Sequence, residues 1–199
     1  TSTGAGEAGA GLATGALMLA TVAAELAAPA LLARFGYRIV LGTGLVLAGG
    51  SGAEITAAIA GMRRLNRAAA EQLQQLDGTV HAVTDVTGYG LAGHGWEMAE
   101  RGGVRVVLHG ASLPAYAGAR EVARRGVRTG GDARNRDYVR GAVVGSASDV
   151  DEALCYDPQT SGGLLAAVDP SAAAALEDIP DAWWRIGEVA AGEPAVVLF

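Results

Sequence analysis

Apolar residues recur at helical spacing from Ala53 to Leu76, where Ile55, Ile59, Met62, Leu65, Ala69 and Leu73 fall on one side of a 3.6-residue turn. The spacing predicts one helix there. Asp77-Gly78 then turns the chain into Val80–Thr84, a short β-rich run. Leu91–Arg101 reads as the next helix, closed by Gly102-Gly103. Val104–Leu108 reads as a strand, and Ala115–Arg125 as a helix stopped by Gly126. Arg128–Tyr138 is polar and contains Gly130-Gly131, so it predicts an ordered surface loop. Ser148 is placed to cap a short helix to Leu154. Leu164–Val168, Trp184–Val189 and Ala195–Phe199 follow as strands, with a proline-opened helix from Pro170 to Leu176 between the first two. Nearer the start, Leu12–Ala33 predicts helix with a break near Pro29, and Ile39–Leu41 a short strand running into Gly42-Thr43-Gly44.

Strands alternate with helices, but the link from Glu188 to Ala195 is too short for a helical crossover and implies antiparallel pairing. The expected fold is therefore α/β of the α+β type, a mixed, largely antiparallel sheet with helices packed on one face. With 199 residues, half of them hydrophobic, and 30 glycines, the chain has room for one principal core rich in small residues. No internal repeat is visible. The expected division is an N-terminal segment, 1–38, that resembles nothing placeable, and a main domain, 39–199. Beginning at Thr1 rather than Met, the sequence reads as a fragment or a processed chain.

Charge and cysteine content narrow the classes of function. The formal net charge of −6 offers no general attraction for nucleic acid or for an anionic membrane surface. A polyanionic ligand would have to bring its own cation. The apolar stretch Gly11–Phe35 is interrupted by Glu25, Pro29 and Arg34, so it reads as soluble helix rather than membrane span or secretory signal. The single cysteine, Cys155, excludes an internal disulfide and suits a cytoplasmic protein. With no His or Lys beside it in sequence, Cys155 reads as a buried structural thiol, not a nucleophile.

Two segments carry chemistry. In Thr84-Asp85-Val86-Thr87-Gly88-Tyr89-Gly90-Leu91, a carboxylate stands where a strand ends and two glycines lead into a helix. Glycine backbone and a helix N-terminus can receive phosphate oxygens at Thr84, Thr87, Gly88 and Gly90, and Asp85 can hold Mg²⁺, which takes one or two carboxylates with phosphates and water. Cap and turn is the commoner use of such a run. In Tyr156-Asp157-Pro158-Gln159-Thr160-Ser161-Gly162-Gly163-Leu164-Leu165, proline fixes the chain and the glycines let another backbone approach. Asp157, Gln159, Thr160 and Ser161 offer polar contacts, although a tight loop with Asp157 capping nearby amides is the simpler reading. His94 reads as a hydrogen-bonded packing histidine.

The two runs together resemble the C-terminal domain of the selenophosphate synthetase family, whose Asp-Val-Thr-Gly-aromatic-Gly-Leu-x-Gly-His run is matched by Asp85–His94 and whose Tyr-Asp-Pro-Gln-Thr-Ser-Gly-Gly-Leu-Leu run by Tyr156–Leu165. Leu65–Ala70, Glu97–Ala99, Leu113-Pro114, Gly130-Gly131, Asn135-Arg136 and Ile186–Val189 extend the likeness in order. The resemblance implies a fold like the C-terminal domain of aminoimidazole ribonucleotide synthetase. It also implies a selenide, water dikinase, which turns ATP, selenide and water into selenophosphate, AMP and phosphate for selenocysteine and selenouridine synthesis. Asp85 is then a Mg²⁺ ligand, ATP and selenide are substrates, and the partner is an N-terminal ATP-binding domain, with a homodimer as the family's assembly.

This chain departs from the family pattern in two ways: it contains no Cys-x-x-Lys type segment, and Ile39–Gly44 lacks the usual Lys-Pro. A portion inactive alone follows from those departures. The competing expectations are a non-catalytic dimerisation or regulatory module and another ATP-dependent enzyme of the same superfamily.

Overall fold

The computed structural model describes residues 41–76, 78–179 and 183–199. These belong to one compact unit, Gly36–Phe199. The expected helix Leu12–Ala33, most of the strand Ile39–Leu41 and Asp77 of the first turn lie outside the described residues; Leu41 itself makes an isolated parallel bridge to Ala115.

Among the described residues, six strands form two sheets. Val80–Asp85 (β1) pairs antiparallel with Leu164–Val168 (β4), placing Asp85 opposite Leu164. The larger sheet is built from Val104–Leu108 (β2), Val143–Gly145 (β3), Gly187–Ala191 (β5) and Ala195–Leu198 (β6), in the order β3-β6-β2-β5. In it, β5 runs antiparallel to β2, while β6 is parallel to both β2 and β3. The α/β class with mixed pairing thus holds, but the strands divide between two sheets and half of the pairings are parallel. The cause is the short link from β5 to β6: instead of making neighbours of them, it steps across the start of β2, where Arg105 Nε donates to the Glu193 carbonyl at 3.3 Å.

Eight helices pack around these strands in the described chain: Thr43–Gly49 (α1), Gly52–Met62 (α2), Arg67–Gln74 (α3), Gly90–Gly102 (α4), Ala119–Arg124 (α5), Asp132–Tyr138 (α6), Asp149–Tyr156 (α7) and Pro170–Glu177 (α8). Helix α4 covers one face of the larger sheet, where Leu91, Ala92 and Ala99 belong to one core with Val106, Leu108, Val196 and Leu198. Each such leucine adds roughly 2 kcal/mol by leaving water. Several core positions are alanines, among them Ala58, Ala119, Ala123 and Ala153, which lets helices approach closely.

Three expectations need correction. The single helix from Ala53 to Leu76 is two helices, α2 and α3, because Asn66 at the break spends its side chain on the Gly162 carbonyl, 3.2 Å away. Its apolar spacing runs through both pieces and hides the break. The expected loop Arg128–Tyr138 contains α6, supported by an Asp132–Arg136 ion pair one turn apart at 2.9 Å. The strand before the last also starts later than the pattern suggests, since β5 begins at Gly187 rather than Trp184, and Trp183 Nε1 donates to Gln72 Oε1 at 2.8 Å; β6 begins at Ala195 as expected. No described helix is long and apolar enough to cross a membrane.

Candidate functional site

The antiparallel pairing of β1 with β4 explains how segments some seventy residues apart come together. Strand β1 ends where the first run begins to turn, and β4 begins where the second run finishes, so both runs emerge at the same end of the small sheet. Backbone bonds carry the pairing past the strands. Val86 N donates to the Gly163 carbonyl at 2.9 Å, and Gln159 N to the Thr87 carbonyl at 3.0 Å. Two glycines are needed for this contact. A Cβ on Gly162 would run into the Val86 carbonyl, and one on Gly90, which has φ 70°, would stand 2.6 Å from the Cys155 carbonyl. Gly88, by contrast, is exposed and has open space around it.

Two asparagines complete the clamp. Asn135 on α6 donates to Gly88 O at 2.9 Å and to Tyr156 O at 2.8 Å, tying the first run to the second, and Asn66 holds Gly162. The family likeness includes both positions but gives neither a task. Asn135 is buried and Asn66 half-buried, a property that the sequence does not display and that obliges the amide to find carbonyl partners.

The two aspartates have opposite surroundings. Asp157 is buried, and its Oδ2 accepts from Gly44 N at 3.0 Å and Leu45 N at 3.3 Å, the first amides of α1. Thr129 Oγ1 donates to Oδ1 at 3.1 Å and Gln159 Nε2 to Oδ2 at 3.1 Å. Gln159 Oε1 in turn accepts from Thr43 Oγ1 at 3.0 Å. Because Gly42 precedes α1 without a side chain, Asp157 caps that helix from 113 residues away. Burial outweighs these donors and pushes the Asp157 carboxyl up to about 6.

Asp85, in contrast, is exposed at the end of β1, and among the described residues no hydrogen bond or ion pair occupies its carboxylate. In the loop that leads into the paired strand β4, Thr160 and Ser161 are exposed, with Ser161 in the left-handed region at φ 52°. Thr84 Oγ1 donates to the Asp85 carbonyl at 3.3 Å. Thr87 is half-buried and faces His94, which is 7% exposed and hydrogen-bonded through both ring nitrogens. Gly90 is buried and its amide is spent on Thr87 O at 3.0 Å, so it offers no free donor. Cys155 is fully buried, and burial pushes its thiol up, the environment of an inert cysteine.

Among the described residues, no three His, Cys, Asp or Glu side chains gather as a metal centre. Asp85 alone suits a hard divalent cation as a single ligand, one carboxylate of an octahedron whose other positions belong to water and phosphate. Elsewhere, a cavity of about 350 Å³ lies between the two sheets, walled by Val107, Leu165, Leu176, Trp184 and Val189; neither aspartate lines it.

Comparison with known proteins gives the family and the fold. Residues 39–198 match the family model of the AIR synthase related protein, C-terminal domain. The selenide, water dikinase of Desulfitobacterium hafniense is 40% identical over 168 residues, covering 79% of this chain and 48% of that protein. Its counterpart from Pelobacter propionicus is 44% identical over 144 residues, 68% of this chain and 40% of that protein. The chain therefore spans less than half the length of each of these relatives. Among solved structures, the hydrogenase maturation protein HypE in complex with ATP superposes with a TM-score of 0.54 at 17% identity, over 80% of this chain and 45% of that one. Thiamine-monophosphate kinase from Stenotrophomonas maltophilia gives 0.50 at 19% identity, over 82% and 52%. Those likenesses establish the fold. The match to the family model over residues 39–198, with the selenide, water dikinase relatives, makes this chain a member of the AIR synthase related family, carrying the C-terminal domain of its selenophosphate synthetase branch.

Proposed function

We propose that the chain is the C-terminal part of a selenide, water dikinase, with residues 39–199 as the domain that meets a separate ATP-binding N-terminal domain. The observation that carries this reading is the contrast at the clamped end of the small sheet, where the Asp157 carboxylate is taken up by the distant helix α1 and Asp85 is left open. Asp85 is then the side chain that holds Mg²⁺ against the phosphates of ATP. When bound, Mg²⁺ neutralises phosphate charge as the phosphoryl group moves to selenide or water. The chain's own part is geometric: the Asn135 bridge and the Gly90 turn fix where the Asp85 carboxylate stands, while Thr160 and Ser161 offer exposed hydroxyls in the loop before β4. The proposal includes a cytoplasmic homodimer assembled with the ATP-binding domain.

Joining the chain to the N-terminal half of the Desulfitobacterium hafniense relative tests it. AMP and selenophosphate are expected to form from ATP and selenide, and Asp85→Asn to lower that output by about 100-fold or more. ATP turnover without dependence on selenide would indicate another enzyme of the superfamily. No turnover by a correctly folded fusion would favour a dimerisation or regulatory module.

A further inference from the structure

A chain of hydrogen bonds runs from the protein surface to the turn after Asp85. Tyr138 Oη donates to Glu97 Oε1 at 3.2 Å, Glu97 Oε2 faces His94 Nδ1 at 3.2 Å, and His94 Nε2 faces Thr87 Oγ1 at 3.1 Å. A carboxylate only accepts, so His94 Nδ1 must be the donor to Glu97. In the neutral ring Nε2 is then the acceptor, and the Thr87 hydroxyl donates its single proton inward to it. The consequence lies on the other side of that oxygen, whose lone pairs remain for a ligand in the turn.

The backbone keeps Thr87 in place. Its carbonyl accepts from both Gly90 N and Gln159 N at 3.0 Å, one bond from each clamped run. Along the chain, Asp85 is exposed, Val86 is fully buried and Thr87 is half-buried. Thr87 stands two residues beyond Asp85, just past the end of β1, where the turn closed by Gly90 N begins. A hard cation prefers oxygen ligands, and a hydroxyl with its proton directed away presents one.

We propose that the Thr87 hydroxyl is a second oxygen ligand for the divalent cation at Asp85, and that His94 and Glu97 are positioning residues that turn it outward. The inference rests on the reading of Asp85 given above. It assigns buried His94 and half-buried Glu97 a task beyond packing, because an apolar side chain of similar size would fill the space without fixing the direction of the hydroxyl.

The test uses the 199-residue chain, Mn²⁺ alone as probe, and two readouts. The first is the imidazole of His94 in long-range proton–nitrogen NMR correlation, where a ring protonated at Nδ1 only is expected; a ring protonated at Nε2 only would overturn the proposal without reference to any metal. The second is Mn²⁺ affinity, followed by the electron spin resonance signal of the free ion. Thr87→Val and His94→Leu are expected to weaken binding by about tenfold or more, whereas Thr87→Ser and His94→Gln, whose amide oxygen can accept as Nε2 does, retain it. Backbone amide spectra establish that each variant is folded. If Asp85→Asn alone abolishes binding while Thr87→Val and His94→Leu bind as the unmodified chain does, this inference fails and the reading of Asp85 stands. If the unmodified chain binds no Mn²⁺, this inference fails, and the reading of Asp85 is decided by the Asp85→Asn fusion with the ATP-binding domain.

Discussion

Asp157 and Asp85 are both aspartates of the two clamped glycine-containing runs, one standing just after helix α7 and the other at the end of β1, and the fold uses them in opposite ways. Asp157 is 1% exposed and gives its oxygens to the first amides of α1, to Thr129 and to Gln159. Asp85 is exposed and has no such partner among the described residues. What separates them is where a helix begins. Helix α1 starts at Thr43 behind a glycine with no side chain to cap it, so a distant carboxylate is drawn in. Helix α4 starts at Gly90, whose amide is already satisfied by the Thr87 carbonyl, and the nearby carboxylate is left over. A carboxylate that its own fold does not use is the one available to a ligand.

The comparison is broken most severely by removing the buried member. Asp157→Ala strands the amides of Gly44 and Leu45 and the donors of Thr129 and Gln159, and each buried donor left unsatisfied costs about 1–3 kcal/mol. A loss of about 3 kcal/mol, or roughly 10 °C in midpoint, is expected by calorimetry. Loss of under about 0.5 kcal/mol would mean that water replaces the carboxylate and that α1 needs no such cap. Gly90→Ala should come next, at about 2 kcal/mol, because it sets a side chain in the left-handed region against the Cys155 carbonyl. Gly88→Ala is the control, costing little since nothing lies within 4 Å of its new methyl. Equal losses in the two variants, read by denaturant unfolding, would show that the clamp does not depend on close approach at Gly90.

The pair of runs was legible in the sequence, and so was the capping use of Asp157, since an aspartate before proline and glycines has few other structural tasks. What it capped was not. Helix α1 lies over 100 residues away, and its run Thr43–Gly49 has too few residues for a periodic signal. Strands and helices with strong local patterns, such as Val104–Leu108 and the helix beginning near Leu91, fell where expected. Errors came where a tertiary bond overrode local preference: Asn66 splits a continuous apolar stripe by reaching for Gly162, and Asp132 with Arg136 makes a helix out of a segment whose glycines suggested a loop. Strand order was hidden for a similar reason. The brevity of the β5–β6 link correctly implied opposite directions, but nothing local records that β2 lies between them.

A gentler probe is pH, with Asp157→Asn as reference because it keeps the shape and an acceptor oxygen. In the folded protein the Asp157 carboxyl titrates near 6, above its ordinary 3.8, since burial disfavours the charged form. Between those values the folded chain holds a proton that the unfolded chain releases, so stability contributed by this group is full below about 4, falls as pH rises through about 6, and is flat beyond. The unmodified chain is therefore expected to lose stability relative to Asp157→Asn from pH 4 to pH 6. A difference that grows in the opposite direction would mean the amides of α1 outweigh burial and hold the carboxylate ionised.

The smallest change in stability belongs to the residue with the largest proposed role. Asp85→Asn removes a charge that no described side chain balances and that lies in water, so unfolding should move by no more than about 0.5 kcal/mol. The strand pairing with Leu164 uses backbone alone and is untouched by the change. Such neutrality would sharpen the contrast with Asp157, because it would show a carboxylate contributing nothing to the fold at the one end of the sheet that two asparagines and two glycines hold in a fixed shape. A large loss on denaturant unfolding would instead reveal a structural partner for Asp85, and the availability of its oxygens to a cation would then have no basis in the geometry.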